Sequence, residues 1–228
     1  MASGSVVAAI ATTEPGAHSY RQKVGTTAVR DGDAYVISGV KSFIANCAQA
    51  DLLLVLARTP AATQCSPHPS LILVEVDRAG FHRNPVKGRL AGTRANAAEM
   101  TFDNVRVPTS NLLGGIEGRG LAQLLEQLPQ ERLIVVLGSV VGMEAALEPM
   151  VRDANAYRVF GESIDNSSRF AALADATTDV RVARELIDDC VIDNVRGRLD
   201  DKAVAVAQRW VTQRSVKTVG KCLQVHRD

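Results

Sequence analysis

The 228 residues carry 26 basic and 25 acidic side chains, a net charge of +1, and 46% hydrophobic residues. This balance gives no electrostatic argument for a nucleic-acid or anionic-membrane partner, and the apolar fraction is sufficient for one large or two small globular domains. The four cysteines are scattered without a CxxC pair or a Cys/His cluster, which predicts reduced thiols in a cytoplasmic protein without a metal site. The longest apolar runs, Leu52–Ala57 and Leu133–Gly138, are far shorter than the ~20 residues of a membrane span, and the N-terminus lacks the basic region of a secretory signal.

The first half of the chain has the short apolar runs and turn residues of a β domain. Val6–Ala11 is an apolar run that stops at a turn. Two alternating runs flank Asp31-Gly32-Asp33 and predict a hairpin, because Asp-Gly accepts the positive φ of a tight turn. Further strands are predicted at Asp51–Arg58, Ser70–Val76 and Glu99–Val107, while the hairpin strands are Thr26–Arg30 and Ala34–Ser38. The pattern predicts a β-barrel-like or sandwich domain over residues 1–110.

From about residue 117 the hydrophobic period becomes that of helices. Apolar side chains fall on one helical face at Leu121, Leu124, Leu125 and Leu128. Pro129 lacks an N–H group and predicts a kink or the start of a new helix, which Phe160-Gly161 ends. Two more helices are predicted at Ala171–Arg196 and Asp200–His226. The chain is therefore predicted to be α+β, with a Gly-rich link at Asn111–Gly120 and an antiparallel bundle of three helices over residues 117–228.

Five motifs follow one another in an order known from one protein family. They are TEPGAHS at Thr13–Ser19, KSFIAN at Lys41–Asn46, FDNVRVP with NLLG between Phe102 and Gly114, LPQERL at Leu128–Leu133, and Phe160-Gly161. In this order they resemble the motifs of acyl-CoA dehydrogenases, and the resemblance covers nearly the whole chain. It implies an FAD cofactor, an acyl-CoA substrate, an electron-transfer acceptor and an oxidoreductase role in fatty acid metabolism.

Residues of the first two motifs are of the types that a flavin requires. A flavin ring is held by hydroxyls and backbone donors, with an aromatic or apolar wall against its face. Thr12, Thr13 and Ser19 offer hydroxyls, and Phe43 offers a flat ring. The resemblance implies that Thr12, Thr13, Ser19, Phe43, Ile44 and Ala45 border FAD and that Ser19 also contacts the CoA moiety. His18 and Ala45 depart from the family pattern, which has glycine and threonine at these positions.

Glu131 and Arg132 lie side by side on the predicted first helix. The family reaction removes the α-proton of a thioester with a carboxylate, while a hydride leaves the β-carbon for the flavin. By resemblance, Glu131 is this catalytic base in an apolar pocket, at the position that long-chain and isovaleryl-type members use, and Arg132 helps to hold the substrate. The alternative is a solvated Glu-Arg pair near a helix start.

The two ends of the sequence lead to competing functional hypotheses. Family enzymes carry a helical domain before the first strand and a glycine-rich segment after Gln224-Val225-His226, so the resemblance predicts truncation at both ends. An apolar face of the helices would then be left exposed to solvent, and such a face favours association into homo- or hetero-oligomers. The candidates are α,β-dehydrogenation of an acyl-CoA, a truncated non-catalytic subunit that associates with a fuller partner, and a flavin oxidase or monooxygenase of the same superfamily.

Overall fold

Nine β-strands and three long α-helices form the described part of the chain. The structure is a computed structural model that describes residues 2–16, 24–60, 69–85, 98–156, 158–159, 162–163 and 167–227. The chain divides into two compact units, Met1–Leu124 and Leu125–Asp228. Sheets in the first unit and helices in the second confirm the predicted α+β class.

The first unit contains two sheets around one core. Strands β1 (Ala8–Ala11), β4 (Leu52–Ala57) and β5 (Ser70–Glu75) form one sheet, in which β1 is parallel to β4 and β4 is antiparallel to β5. Strands β2 (Thr27–Asp31), β3 (Ala34–Ile44), β7 (Ala98–Pro108) and β6 (Phe81–Pro85) form an antiparallel sheet in that order. Buried residues of both sheets share the core, and the described strands form two sheets without closing into a barrel.

The predicted hairpin is confirmed, while two other details of the β unit were predicted wrongly. Gly32 has φ +63° in the turn between β2 and β3, as the Asp-Gly signal requires. Strand β3 continues past Ser38 to Ile44, because irregularities near Gly39 and before Ile44 interrupt its alternation without ending its pairing with β7. Strand β6 was not predicted, since it is a short edge strand with polar residues.

The second unit contains most of helix α1 (Gly120–Ala156), helix α2 (Ser167–Val195) and helix α3 (Asp201–Arg227). Two-residue strands β8 (Arg158–Val159) and β9 (Glu162–Ser163) form a hairpin between α1 and α2. Of the two alternatives predicted at Pro129, a kink or a new helix, the new helix is wrong, because α1 runs through this proline. Helix α1 ends at Ala156, and Phe160-Gly161 lies outside the described residues.

The helical core is built from one face of each helix. Its fully or nearly buried members include Val136, Val140 and Met143 of α1, Ala183 and Ile187 of α2, and Val204 and Val211 of α3. Other apolar side chains of α1, including Ile134 and Val141, are more than half exposed. The stretch Gly120–Arg152 reaches the length and mean hydropathy, 1.7, of a membrane span, a weak signal that core helices of water-soluble proteins also give.

Candidate active site

The Thr12–Gly16 turn lies beside the end of strand β3 that carries Phe43. The chain leaves β1 at Ala11, and the carbonyl oxygen of Thr13 then accepts a hydrogen bond from the backbone N–H of Ser42 at 2.9 Å. Thr12 is half-buried and Thr13 is exposed. The structure therefore brings together the described residues of the first two motifs, which are about thirty positions apart in sequence.

Glu14 and Lys41 form an ion pair beneath this turn. The Lys41 Nζ lies 2.8 Å from Glu14 Oε1, and the two side chains are 0% and 12% exposed. Glu14 also accepts the backbone N–H groups of Gly25 (2.7 Å) and Thr26 (2.9 Å). Burial alone would raise the pKa of Glu14, but the hydrogen bonds from Lys41, Thr26 and Gly25 outweigh it and lower the pKa to about 2. Burial lowers the pKa of Lys41, and Glu14 opposes this change.

Phe43 presents its ring outward from an unusual backbone conformation. Its side chain is 60% exposed, and its φ of +56° is in the left-handed region that bulky residues rarely adopt. Asn46 also has a positive φ, so the Ile44-Ala45 step lies between two left-handed residues. Ile44 is buried and Ala45 is exposed. The β3 terminus thus exposes an aromatic face and backbone groups next to the Thr12–Gly16 turn, which suits a flat ligand.

Glu131, the predicted base, and Arg132, predicted to hold the substrate, lie on helix α1 in the second unit. Glu131 is exposed, so the described residues do not provide the apolar pocket that was expected for it. Arg132 is half-buried, and its Nη1 donates a hydrogen bond to Asp201 Oδ1 at 2.6 Å. Asp201 is in the first turn of α3, where its charge also favours the helix dipole. Arg132 is therefore attached to the start of α3 in this structure.

One predicted site residue, Ser19, cannot be compared with the structure, and one charged pair was missed. Ser19 and His18 lie outside the described residues. The Glu14–Lys41 pair was not assigned a role from sequence, although both residues belong to the quoted motifs. No local pattern links two charges 27 residues apart; only the return of β3 beside the end of β1 does so.

The cysteines and acidic residues do not suggest other chemistry. Cys47, Cys190 and Cys222 are buried free thiols, and burial raises the pKa of each. Cys65 lies outside the described residues. In the described ranges, no group of three or more His, Cys, Asp or Glu is placed to hold a metal ion.

Comparisons with known proteins agree on one family. The family model for the acyl-CoA dehydrogenase middle domain matches residues 9–105, and the model for the acyl-CoA dehydrogenase C-terminal domain matches residues 118–226. The mitochondrial long-chain specific acyl-CoA dehydrogenase of Rattus norvegicus is 32% identical over 228 residues, which cover 99% of this chain and 53% of that protein. An acyl-CoA dehydrogenase of Bacillus subtilis is 31% identical over 227 residues, which cover 99% of this chain and 59% of that protein.

Solved structures give the same result for the fold. The crystal structure of an acyl-CoA dehydrogenase from Geobacillus kaustophilus matches with a TM-score of 0.86 and 32% identity, covering 98% of this chain and 59% of that one. A chain in a structure described as the electron transferring flavoprotein of Acidaminococcus fermentans matches with a TM-score of 0.85 and 28% identity, covering 98% of this chain and 58% of that one. The chain spans about half the length of the curated relatives it matches. Two family models that follow one another along almost all of the sequence show that this chain belongs to the acyl-CoA dehydrogenase family.

Proposed function

We propose that this chain contributes the flavin site and the catalytic base of an enzyme that oxidises an acyl-CoA thioester to its α,β-unsaturated form. The observation that carries the proposal is the hydrogen bond between the Thr13 carbonyl and the Ser42 N–H, which sets the hydroxyl-bearing turn beside the exposed Phe43 ring. Residues 1–110 are the proposed flavin and acyl-CoA domain, and residues 117–228 are the proposed helical domain.

The described residues of the β unit fit FAD, the cofactor of this family's flavoproteins. Thr13 exposes a hydroxyl, Phe43 exposes a ring face, and Ser42 holds a buried hydroxyl oxygen that has no hydrogen-bond partner among the described residues. A buried hydroxyl without a partner is costly, so a ligand that bonds to it would be favoured. We assign Thr12, Thr13, Phe43, Ile44 and Ala45 to FAD, and Ser19 to FAD and CoA. Bound FAD supplies the acceptor for the hydride that leaves the substrate β-carbon.

Glu131 is the proposed base. A carboxylate oxygen of Glu131 takes the α-proton as the α-carbon–hydrogen bond breaks, and the electron pair forms the new double bond as hydride departs from the β-carbon. Glu131 ends the step as a neutral acid. Arg132 uses one nitrogen on Asp201, and its guanidinium has further N–H donors with which to hold the substrate.

The exposure of Glu131 favours a specific second candidate, in which this chain is a non-catalytic subunit. An exposed carboxylate lacks the apolar pocket in which a base for this reaction is expected to work. For catalysis, we propose that the apolar wall around Glu131 is completed by further polypeptide, either a second copy or a fuller partner. The exposed apolar side chains of the helices provide surfaces for such association.

Partners and location are proposed from the relatives. The match to a chain described with an electron transferring flavoprotein supports such a flavoprotein as the electron acceptor. Relatives from Bacillus subtilis support a cytoplasmic location, while others are mitochondrial. The name of the rat relative makes a long-chain acyl-CoA a reasonable first substrate to test.

Anaerobic mixing of the FAD-loaded chain with palmitoyl-CoA and with butyryl-CoA tests the proposal. The visible flavin absorbance should be lost with at least one substrate, and Glu131→Gln should slow this loss by at least about 100-fold while FAD stays bound. Glu148→Gln is the matched control, because Glu148 is on the same helix and its ion pair with Arg152, one helical turn away, is 72% exposed on both sides. FAD binding without any loss of absorbance would support the non-catalytic subunit, and unchanged loss in Glu131→Gln would reject Glu131 as the base.

A further inference from the structure

The Glu14–Lys41 pair connects three backbone segments of the β unit. Lys41 is on β3, two residues before Phe43, and its Nζ reaches both Glu14 Oε1 at 2.8 Å and the Thr12 carbonyl oxygen at 3.4 Å. Glu14 extends the connection to Gly25 and Thr26, the residues that lead into β2. A single cluster around the buried Lys41 side chain therefore connects the turn after β1, the end of β3 and the start of β2.

The contacts of this cluster are of a kind that fixes the positions of the backbone segments that they join. Each involves a charged group, and the three that Glu14 accepts are 2.7–2.9 Å long, as expected of charge-assisted hydrogen bonds, while the Lys41–Thr12 contact is longer at 3.4 Å. The Lys41 side chain is wholly buried, so its ammonium group depends on Glu14 and the Thr12 carbonyl for compensation. A shift of the turn relative to β3 would break several of these bonds together. Neither side chain is itself at the exposed surface where Thr13 and Phe43 would meet a ligand.

We infer that Glu14 and Lys41 are positioning residues for FAD, because they hold the hydroxyl-bearing Thr12–Gly16 turn in register with the Phe43 ring. This inference rests on the proposed flavin site. It assigns to the pair an effect on FAD affinity without direct contact, since a site fixed in its binding conformation loses less conformational freedom when the ligand binds.

Hydrogen exchange on the full chain without FAD tests the anchoring by itself. In Glu14→Gln and in the double variant Glu14→Gln/Lys41→Met, the amides of Gly25, Thr26 and Ser42 should exchange faster than in the wild type. These are the N–H groups that bond to Glu14 or to the Thr13 carbonyl. The double variant removes both charges, so it leaves no charge without its partner, and we expect it to remain folded. Lys41→Met alone would instead leave the Glu14 carboxylate without its buried partner.

FAD titration of the same variants tests the effect on the ligand. The dissociation constant should rise by at least about tenfold in both variants, and the absorbance spectrum of bound FAD should move toward that of free FAD. The control is Arg106→Met, which removes an ion pair of the same unit whose side chains are 55% and 64% exposed. Its exchange at the three amides and its FAD affinity should equal those of the wild type.

The outcomes separate the inference from the proposed function. If the pair had only a structural role, FAD affinity would fall only as far as the melting temperature falls. A positioning role predicts weaker FAD binding even at the wild-type melting temperature. A double variant with wild-type melting temperature and wild-type FAD affinity therefore overturns the inference. Unchanged exchange at the three amides overturns it as well. A wild-type chain that binds no FAD overturns the proposed function and the FAD part of the inference, while the exchange result still decides whether the pair anchors the turn.

Discussion

Acidification should destabilise the β unit through Glu14. The pKa of this carboxyl falls from its ordinary 4.5 to about 2 in the folded chain, because the hydrogen bonds from Lys41, Thr26 and Gly25 outweigh the effect of burial. A carboxyl with a lowered folded pKa stabilises the fold above its unfolded pKa, and this contribution disappears as pH falls toward the folded pKa. The expected window of loss is therefore from about pH 5 down to about pH 2.

The magnitude follows from the same two values. The difference between 4.5 and about 2 corresponds to about 3 kcal/mol in the free energy of unfolding, at about 1.4 kcal/mol per pKa unit. About 2 kcal/mol of this should be lost by pH 3. Glu14 is 12% exposed, so solvent screening reduces this figure less than it would for a surface carboxylate.

Urea unfolding with pulsed hydrogen exchange, read on peptides of β3 and β7, measures this loss in the wild type and in Glu14→Gln. The wild type should be the more stable protein at pH 7, and the difference should shrink by about 2 kcal/mol at pH 3. Peptides of α2 report the helical unit as an internal control. Asp31→Asn is a matched surface variant, since its ion pair is more than half exposed on both sides and should contribute less than about 1 kcal/mol at pH 7. If the difference in unfolding free energy between the wild type and Glu14→Gln does not change with pH, the ionised Glu14 carboxylate is not the source of the stabilisation.

Three further predictions concern packing and backbone conformation. Urea unfolding measures the stability change in each, and an FAD titration measures the change in affinity in the third. Gly80→Ala should cost about 2–4 kcal/mol, because the new Cβ would lie 2.1 Å from a carbonyl oxygen of β7 at φ +84°, whereas Gly32→Ala has open space and should cost about 1 kcal/mol; equal losses would contradict this. Met143→Ala should cost about 2–5 kcal/mol, since Met143 is fully buried, and Val141→Ala, 56% exposed, should stay within about 0.5 kcal/mol of the wild type. Phe43→Gly should leave stability within about 1 kcal/mol, because it relieves a left-handed φ at an exposed site, yet should weaken FAD binding about tenfold; wild-type FAD affinity would remove Phe43 from the site.

Much of the fold could be predicted from sequence where local chemistry alone decides the structure. The Asp-Gly turn between β2 and β3 is an example, because only a positive φ closes it and Gly32 provides one. The helical period after residue 117 was equally visible. Strand β6 could not be predicted in this way, since its place depends on non-local contacts. In one of them the centroids of the Phe81 and Phe102 rings lie 5.5 Å apart. Pro129 shows a different limit: a local preference against helix is overridden in a helix whose following residues, from Leu133 onward, pack in the helical core.

The candidate site, like the fold, could be predicted from sequence only in part. The order of the motifs led to the prediction that Thr13 and Phe43 border a flavin, and the structure places the Thr13 carbonyl 2.9 Å from the N–H of Ser42, the residue before Phe43. The interaction of Glu14 with Lys41 could not be predicted, because it depends on where two strands end in space. The surroundings of Glu131 could not be predicted either: an apolar pocket was expected, and the side chain is exposed in the structure.

We propose that this chain holds FAD beside the Thr12–Gly16 turn and Phe43 and that this FAD oxidises an acyl-CoA. The most direct test is titration of the purified chain with FAD, followed by anaerobic addition of palmitoyl-CoA with the visible absorbance recorded at each step. We expect saturable FAD uptake by the wild type, weaker uptake by Phe43→Gly, and loss of the flavin absorbance when the thioester is added. A chain that takes up no FAD, or that binds FAD equally well without the Phe43 ring, would contradict the proposal.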